Sequence, residues 1–147
     1  MEIRAYREQD FEGVVELWHE TQLDAYPYLP LTQSYTRQDH LRFFRKRIVP
    51  NCAIWIATDY EELAGFLALN GSYVDRLYIH PMRQRTGLGT ALIRKAMQLS
   101  PDGLELHTHQ QNESACTFYE KHGFAAVGFG ISPAPESVPD VEYHWRP

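Results

Sequence analysis

The sequence predicts an α+β protein: a mixed, mostly antiparallel sheet of about seven strands flanked by about four helices, in the order βααβββαβαββ. Three observations carry that expectation. Apolar positions switch along the chain between a two-residue and a 3.6-residue period. Asn70-Gly71, the strongest short hairpin signal in the chain, joins two of three consecutive strand-like runs. A glycine-containing loop then separates those runs from an amphipathic helix.

Each element has its own reason. Residues 3–6 form a short β-like run. Asp10 follows as an expected N-cap, and Phe11, Val14, Val15 and Trp18 recur at i, i+3, i+4, i+7, one apolar helical face. Tyr26-Pro27-Tyr28-Leu29-Pro30 ends that helix, because proline cannot continue one. Thr36 with Asp39 resembles an acidic capping box ahead of Leu41, Phe44 and Ile48, and Pro50 closes this second helix. Strands are expected over 52–58, 63–69 and 73–79, paired antiparallel, with a polar turn at 59–62. Leu88, Leu92, Ile93, Ala96 and Leu99 mark the third helix. Residues 104–108 alternate as a strand, and Asn112 can cap a helix carrying Ala115, Phe118, Tyr119 and His122. Gly123 suits the position just past it, where φ is often positive. Residues 125–129 and 141–145 are the last strands, separated by a proline-rich loop.

Composition narrows the function. The 147 residues suit one domain spanning 1–147. Hydrophobic residues make up 44% and charged residues 22%, too apolar a balance for intrinsic disorder. The longest apolar run, 63–69, is seven residues, too short to span a bilayer, so no membrane partner is expected. Met1-Glu2-Ile3-Arg4 does not open a basic segment followed by an apolar stretch, so a cytoplasmic location is expected. The two cysteines, Cys52 and Cys116, form no CxxC, which argues against a disulfide framework or a thiolate zinc site. A net charge of −5 argues against a generally basic nucleic-acid-binding face.

The sharpest segment is Gln84-Arg85-Thr86-Gly87-Leu88-Gly89-Thr90, between a strand and a helix. Glycines let a backbone approach a ligand closely, and the first-turn N–H groups of a helix together with its dipole favour an anion. An ordinary strand-to-helix turn would use glycine as well. The segment lacks the GK[ST] ending of a Walker loop and the third glycine of a dinucleotide fingerprint.

The stretch from Leu77-Tyr78-Ile79-His80-Pro81 to Gly87-Leu88-Gly89-Thr90-Ala91-Leu92 resembles the acetyl-CoA signature [Q/R]-x-x-G-x-[G/A] of the GNAT superfamily of N-acetyltransferases, with Gln84, Gly87 and Gly89 at its fixed places. A second stretch, Leu104-x-Leu106 with Asn112, Ala115, Phe118-Tyr119-Glu120-Lys121 and Gly123-Phe124, resembles the family too. The resemblance is strong over 73–124 and weaker elsewhere.

That resemblance implies acetyl-CoA as cosubstrate, its pyrophosphate on the backbone amides of Arg85, Thr86, Gly87, Leu88, Gly89 and Thr90. Arg83, Arg85, Arg94 and Lys95 are near enough in sequence to screen phosphates, or else form a solvated face. The backbone of Leu77, Tyr78 and Ile79 would hold the pantetheine arm, with an N–H at or near Leu77 facing the thioester oxyanion, and Asn112 would contact the arm. Tyr119 occupies the position of the general acid for the departing thiolate; a core tyrosine is the competing reading. The family's amine attacks directly, so Cys116 is not needed as a nucleophile. Asp75 is the best carboxylate candidate for the general base, sharing a strand face with Tyr73 by the two-residue period. His107 and His109 are alternatives, either as a base or beside the acceptor, and a water chain is another. As a metal pair His107-x-His109 lacks a carboxylate or cysteine at ligand spacing, so no metal is expected.

The acceptor site of this family is built by the first two helices, the loop between them and the last two strands. Here Asp24, Tyr26, Tyr28, Leu29 and Tyr35 would mix aromatic walls with an acid, and Glu136 and Asp140 add charge from the C-terminal loop. A cationic amine suits that set. The first expectation is transfer to a primary amine of a small molecule; alternatives are a protein lysine or N-terminus, or a CoA-binding module with little transfer. Dimers are common in the family, which leaves a homodimer compatible with the resemblance.

Overall fold

The computed structural model describes residues 1–25, 35–134 and 136–147, with the side chains of residues 23–25 outside that description. Among the described residues one seven-stranded sheet runs in the order β1-β2-β3-β4-β5-β7-β6. Its strands are β1 (Glu2–Ala5), β2 (Ala53–Asp59), β3 (Glu62–Asn70), β4 (Tyr73–Ile79), β5 (Leu104–His109), β6 (Ala125–Ile131) and β7 (Pro139–Trp145). Four α-helices cover it: α1 (Phe11–Ala25), α2 (Arg37–Phe43), α3 (Leu88–Leu99) and α4 (Glu113–Lys121). The α+β expectation holds, including the antiparallel β2-β3-β4 meander.

Alternation along the strands separates two cores. Ile54, Ile56, Phe66 and Ala68 face Val14, Val15 and Trp18 of α1 and Phe44 beyond α2. Ala57, Leu67, Leu69 and Leu106 face Leu88, Leu92 and Ile93 of α3. Each fully buried side chain of this size contributes roughly 1.5–3 kcal/mol of apolar burial. The central strands therefore read as continuous apolar runs, since both of their faces are covered.

Local chemistry explains the ends. Thr36 Oγ1 accepts from Asp39 N–H at 3.1 Å and Asp39 Oδ2 accepts from Thr36 N–H at 2.8 Å, the acidic capping box expected. The helix then widens into a π turn, Phe44–Ile48, before Pro50. Gly71 takes φ +61 in the hairpin turn, between the paired Asn70 and Tyr73. Asp10 differs from expectation. A 3₁₀ turn, Glu8–Asp10, precedes α1, and the Asp10 carboxylate reaches back to the Arg7 N–H at 2.8 Å. It also receives both Nη groups of Arg4 at 2.8 Å. An arginine on β1 made the acid more useful as an anchor for that strand than as a cap.

Two irregularities position the site. β4 and β5 run parallel but pair only at Tyr73 and Glu105, where Glu105 N–H donates to Ser72 C=O at 2.9 Å. Past that point they diverge, and the edge of β4 toward β5 carries no partner strand. β4 also bulges: Ala68 pairs with Arg76 and Leu69 with Val74, leaving Asp75 as the extra residue. Val74 packs in the core under α3 while Arg76 lies over Trp18 of α1, so the two-residue alternation breaks at the bulge between Val74 and Arg76.

Candidate active site

β4 and β5 pair only at Tyr73 and Glu105, and several residues singled out from sequence lie on these strands and on the turns and helices that follow them. Leu77, Tyr78 and Ile79 close β4. The Gln84 amide donates to the Ile79 carbonyl at 3.1 Å. That side chain ties down the strand end. His80 clamps the same end from the helix side, its Nε2 lying 2.8 Å from Glu20 of α1.

The turn after β4 leads into a helix, α3, with no side-chain cap. Arg85 takes φ +64 and Gly87 φ +91. Among the described residues the N–H groups of Leu88, Gly89 and Thr90 donate no hydrogen bond, so the first helical turn points unpaired donors outward. A β-carbon at Gly87 would meet nothing within 4 Å, so its backbone is open to an approaching group. Gly89 is different. There a β-carbon would lie 3.1 Å from the ring of Phe118, so this glycine lets α3 pack on α4. The cations also divide. Arg83 is committed to the β2–β3 turn, donating to Asp59 at 2.8 Å and Glu62 at 2.7 Å. Lys95 sits 4.0 Å above the ring of Trp55. Arg85 and Arg94 are exposed.

After β5, Asn112 caps α4, its Oδ1 accepting from Ala115 N–H at 3.1 Å. Tyr119, further along the same helix, is 7% exposed, its ring against Phe118, Phe124 and Tyr143. No hydrogen bond holds its hydroxyl among the described residues. Burial pushes that hydroxyl well above the ordinary tyrosine range, and the fields of Tyr78, Cys116 and Tyr73 add to the shift. The phenol thus keeps its proton through neutral and mildly alkaline pH. Thr90 Oγ1 and His122 Nε2, 3.2 Å apart, close the contact between α3 and α4.

The candidates for the base each have a different neighbour. Tyr73 Oη and His107 Nδ1 lie 2.9 Å apart. His107 Nε2 lies 3.5 Å from Glu142, and His109 Nε2 lies 3.5 Å from Glu136. The His109 imidazole holds the Glu136 carboxyl below its usual range. Asp75 lies beside Arg76, Oδ2 to Nε 3.5 Å. Tyr26 and Tyr28, expected at the acceptor site, lie outside the described residues, as does the side chain of Asp24. Tyr35 lies 6.0 Å from His40, ring to ring.

Sequence reasoning did not single out Arg76, Trp18 or Gln22 for the site. The Arg76 guanidinium lies 5.1 Å from the Trp18 ring and 5.4 Å from that of Phe43. The available signal was the charged pair Asp75-Arg76 between Val74 and Leu77, inside a strand whose other residues are apolar or aromatic.

Comparison with known proteins agrees with this geometry. The acetyltransferase (GNAT) family model matches residues 13–124. The peptidyl-lysine N-acetyltransferase YjaB of Salmonella typhimurium is 31% identical over 127 residues, covering 86% of this chain and 84% of that protein. The peptidyl-lysine N-acetyltransferase YiaC of Escherichia coli is 28% identical over 126 residues, covering 85% and 84%. The solution structure of apo-form YjaB from Escherichia coli superposes with a TM-score of 0.80 at 25% identity, covering 98% of this chain and 96% of that one. The PaiA N-acetyltransferase of Thermoplasma acidophilum, solved in complex with coenzyme A, shares the fold at a TM-score of 0.78 and 21% identity, covering 99% and 98%.

Proposed function

This chain belongs to the acetyltransferase (GNAT) family and is an acetyl-CoA-dependent N-acetyltransferase, and we propose that its acceptor is the ε-amine of a lysine in a protein or peptide. One observation carries the transfer reading: an unpaired β4 edge lies beside an uncapped helix N-terminus, with a buried protonated phenol on α4. The names of the relatives at 28% and 31% identity support the lysine. So does the acidic rim of Glu136, Asp140 and Glu142, which suits a cationic side chain. A primary amine of a small molecule is the second reading, with the same chemistry.

The residues present fit acetyl-CoA. The amides from Arg85 to Thr90 would receive the pyrophosphate, the open backbone at Gly87 allowing close approach. The free edge at Leu77, Tyr78 and Ile79 would take the pantetheine amides as an added strand, and Asn112 would contact the same arm. Acetyl-CoA supplies an activated thioester carbonyl. The N–H at or near Leu77 would receive the oxyanion as the amine attacks, and Tyr119 would give its proton to the departing sulfur. The amine must first lose a proton, for which Asp75, His107 and His109 are the candidates.

Incubation with acetyl-CoA and a lysine-containing peptide, followed by thiol release and by mass spectrometry of the product, tests this. Acetyl on the lysine ε-nitrogen is the expected result. Transfer to small amines alone would favour the second reading. Binding of acetyl-CoA without transfer to any amine would make the chain a binding module.

A further inference from the structure

We propose that Arg76 is the carboxylate-binding group of the acceptor site, so that the preferred acceptor carries a carboxylate close to its reactive amine. The proposal rests on the acetyl-transfer reading and adds a recognition element to it.

The observation is a concentration of buried polar atoms without a hydrogen bond, two of which, Asp75 Oδ2 and Arg76 Nε, face each other as an ion pair at 3.5 Å. Among the described residues five buried side-chain atoms lack a hydrogen-bond partner: Tyr6 Oη, Trp18 Nε1, Gln22 Oε1, Asp75 Oδ2 and Arg76 Nε. Four of the five belong to α1 and β4. Trp18 and Gln22 are one turn apart on α1, and Arg76 lies over the Trp18 ring. Buried polar atoms are nearly always satisfied, so such a cluster calls for a cause.

The arginine is the centre of it. Its guanidinium makes no hydrogen bond to any described residue, and Asp75 lies at 3.5 Å without hydrogen-bond geometry. Other arginines here behave differently: Arg4 binds Asp10, and Arg83 binds Asp59 and Glu62, through direct hydrogen bonds. The rings of Trp18 and Phe43 hold the Arg76 plane, which lowers the entropy lost on binding. The Arg76 side chain is 24% exposed although its Nε is buried, so the residue is not sealed from solvent. It is the immediate neighbour of Leu77, whose N–H, or one near it, would receive the thioester oxyanion.

Charge selects the ligand. A planar fork with unused donors matches a carboxylate, bound through two hydrogen bonds, with the Trp18 N–H as a further donor. A doubly charged phosphate would meet Asp75 and the acidic rim of Glu136, Asp140 and Glu142. A singly charged carboxylate meets them less strongly, while the rim favours an ammonium. Both signs in one cleft fit an acceptor that carries both.

The test compares Nα-acetyl-L-lysine with its carboxamide, and blocked Lys-Asp with blocked Lys-Asn dipeptides. The wild-type protein is expected to prefer the acid over the amide by about 10- to 100-fold in kcat/KM in at least one pair. Preference in the first pair alone makes the source an α-carboxylate; preference in the second makes it a neighbouring acidic side chain. R76Q should bring the ratio to about one, and R76K should keep part of it. The ratio is internal to each protein, so partial unfolding does not mimic the effect, and the wild-type ratio decides even where a variant fails to fold. Equal use of acid and amide in both pairs overturns the proposal and leaves acetyl transfer intact. If none of the four is acetylated, the lysine reading falls, and tryptophan fluorescence titrations with the acid and amide forms decide Arg76 separately: tighter binding of the acid supports it, equal binding sinks it.

Discussion

A β-carbon at Gly89 would lie 3.1 Å from Cε1 and 3.3 Å from Cζ of Phe118. The second glycine of the signature thus serves the junction of α3 with α4 as well as the turn. Gly87, with φ +91 and open space around it, meets no such neighbour.

The G89V substitution is therefore expected to destabilise the fold by about 1–3 kcal/mol through overpacking, in addition to weakening acetyl-CoA binding. Urea unfolding measures the first effect and calorimetric titration the second. Adding F118L should return part of the stability, since the two sites touch and their effects should not add. Strictly additive losses would show that the ring is not the obstacle.

Removing the Tyr119 hydroxyl breaks no hydrogen bond, so Y119F should unfold at nearly the wild-type temperature and bind acetyl-CoA as well. Its kcat should fall on the order of 10–100-fold, the low end for a general acid because a thiolate leaves readily. Burial raises the phenol's pKa above the ordinary tyrosine value, so its proton is present through neutral and mildly alkaline pH. The wild-type rate should then show no alkaline decline from this group below about pH 10. Unchanged kcat in Y119F, with chemistry limiting the rate, would return Tyr119 to the core.

His40 is buried, stacked 4.3 Å from the Trp18 ring, with its Nδ1 2.9 Å from that of His19. Burial first, then the charge of His19, lowers its pKa to about 4, with Arg76 adding a little and Asp39 opposing. The unfolded chain binds the proton near 6.5, so between about pH 6.5 and pH 4 it holds more protons than the folded one. Stability from the neutral imidazole is complete above that window and is lost as pH falls through it. Its size is roughly 2–3 kcal/mol at most. H40Q should flatten the slope of unfolding free energy against pH there, and a slope as steep as wild type would place the titrating group elsewhere.

Much of the fold was legible because its signals are local. The run after Asn70-Gly71 marked β4 at its observed bounds, Thr36 and Asp39 announced their capping box, and Asn70-Gly71 the hairpin. The strands around the C-terminal loop ran further than expected: β6 continues to Ile131 and β7 begins at Pro139. Pairing between these two strands extends both through residues whose own β tendency is weak, Gly130 and Pro139 among them.

Sequence alone determined the element types, the glycine turn and the family resemblance, since helical and strand periods and turn chemistry depend on neighbours in the chain. It also placed Tyr119 and Asn112 on one helix. Tertiary structure decided which partner each polar group found. Gln84 went to the Ile79 carbonyl, Arg83 to Asp59 and Glu62, Tyr73 to His107, and Asp10 to Arg4. The bulge at Asp75 exists only because β3 pairs around it, and the Arg76 guanidinium lies over Trp18 only because α1 packs on that face. Such outcomes depend on groups far apart in sequence competing for the same donors and the same buried space, and only the folded chain resolves that competition.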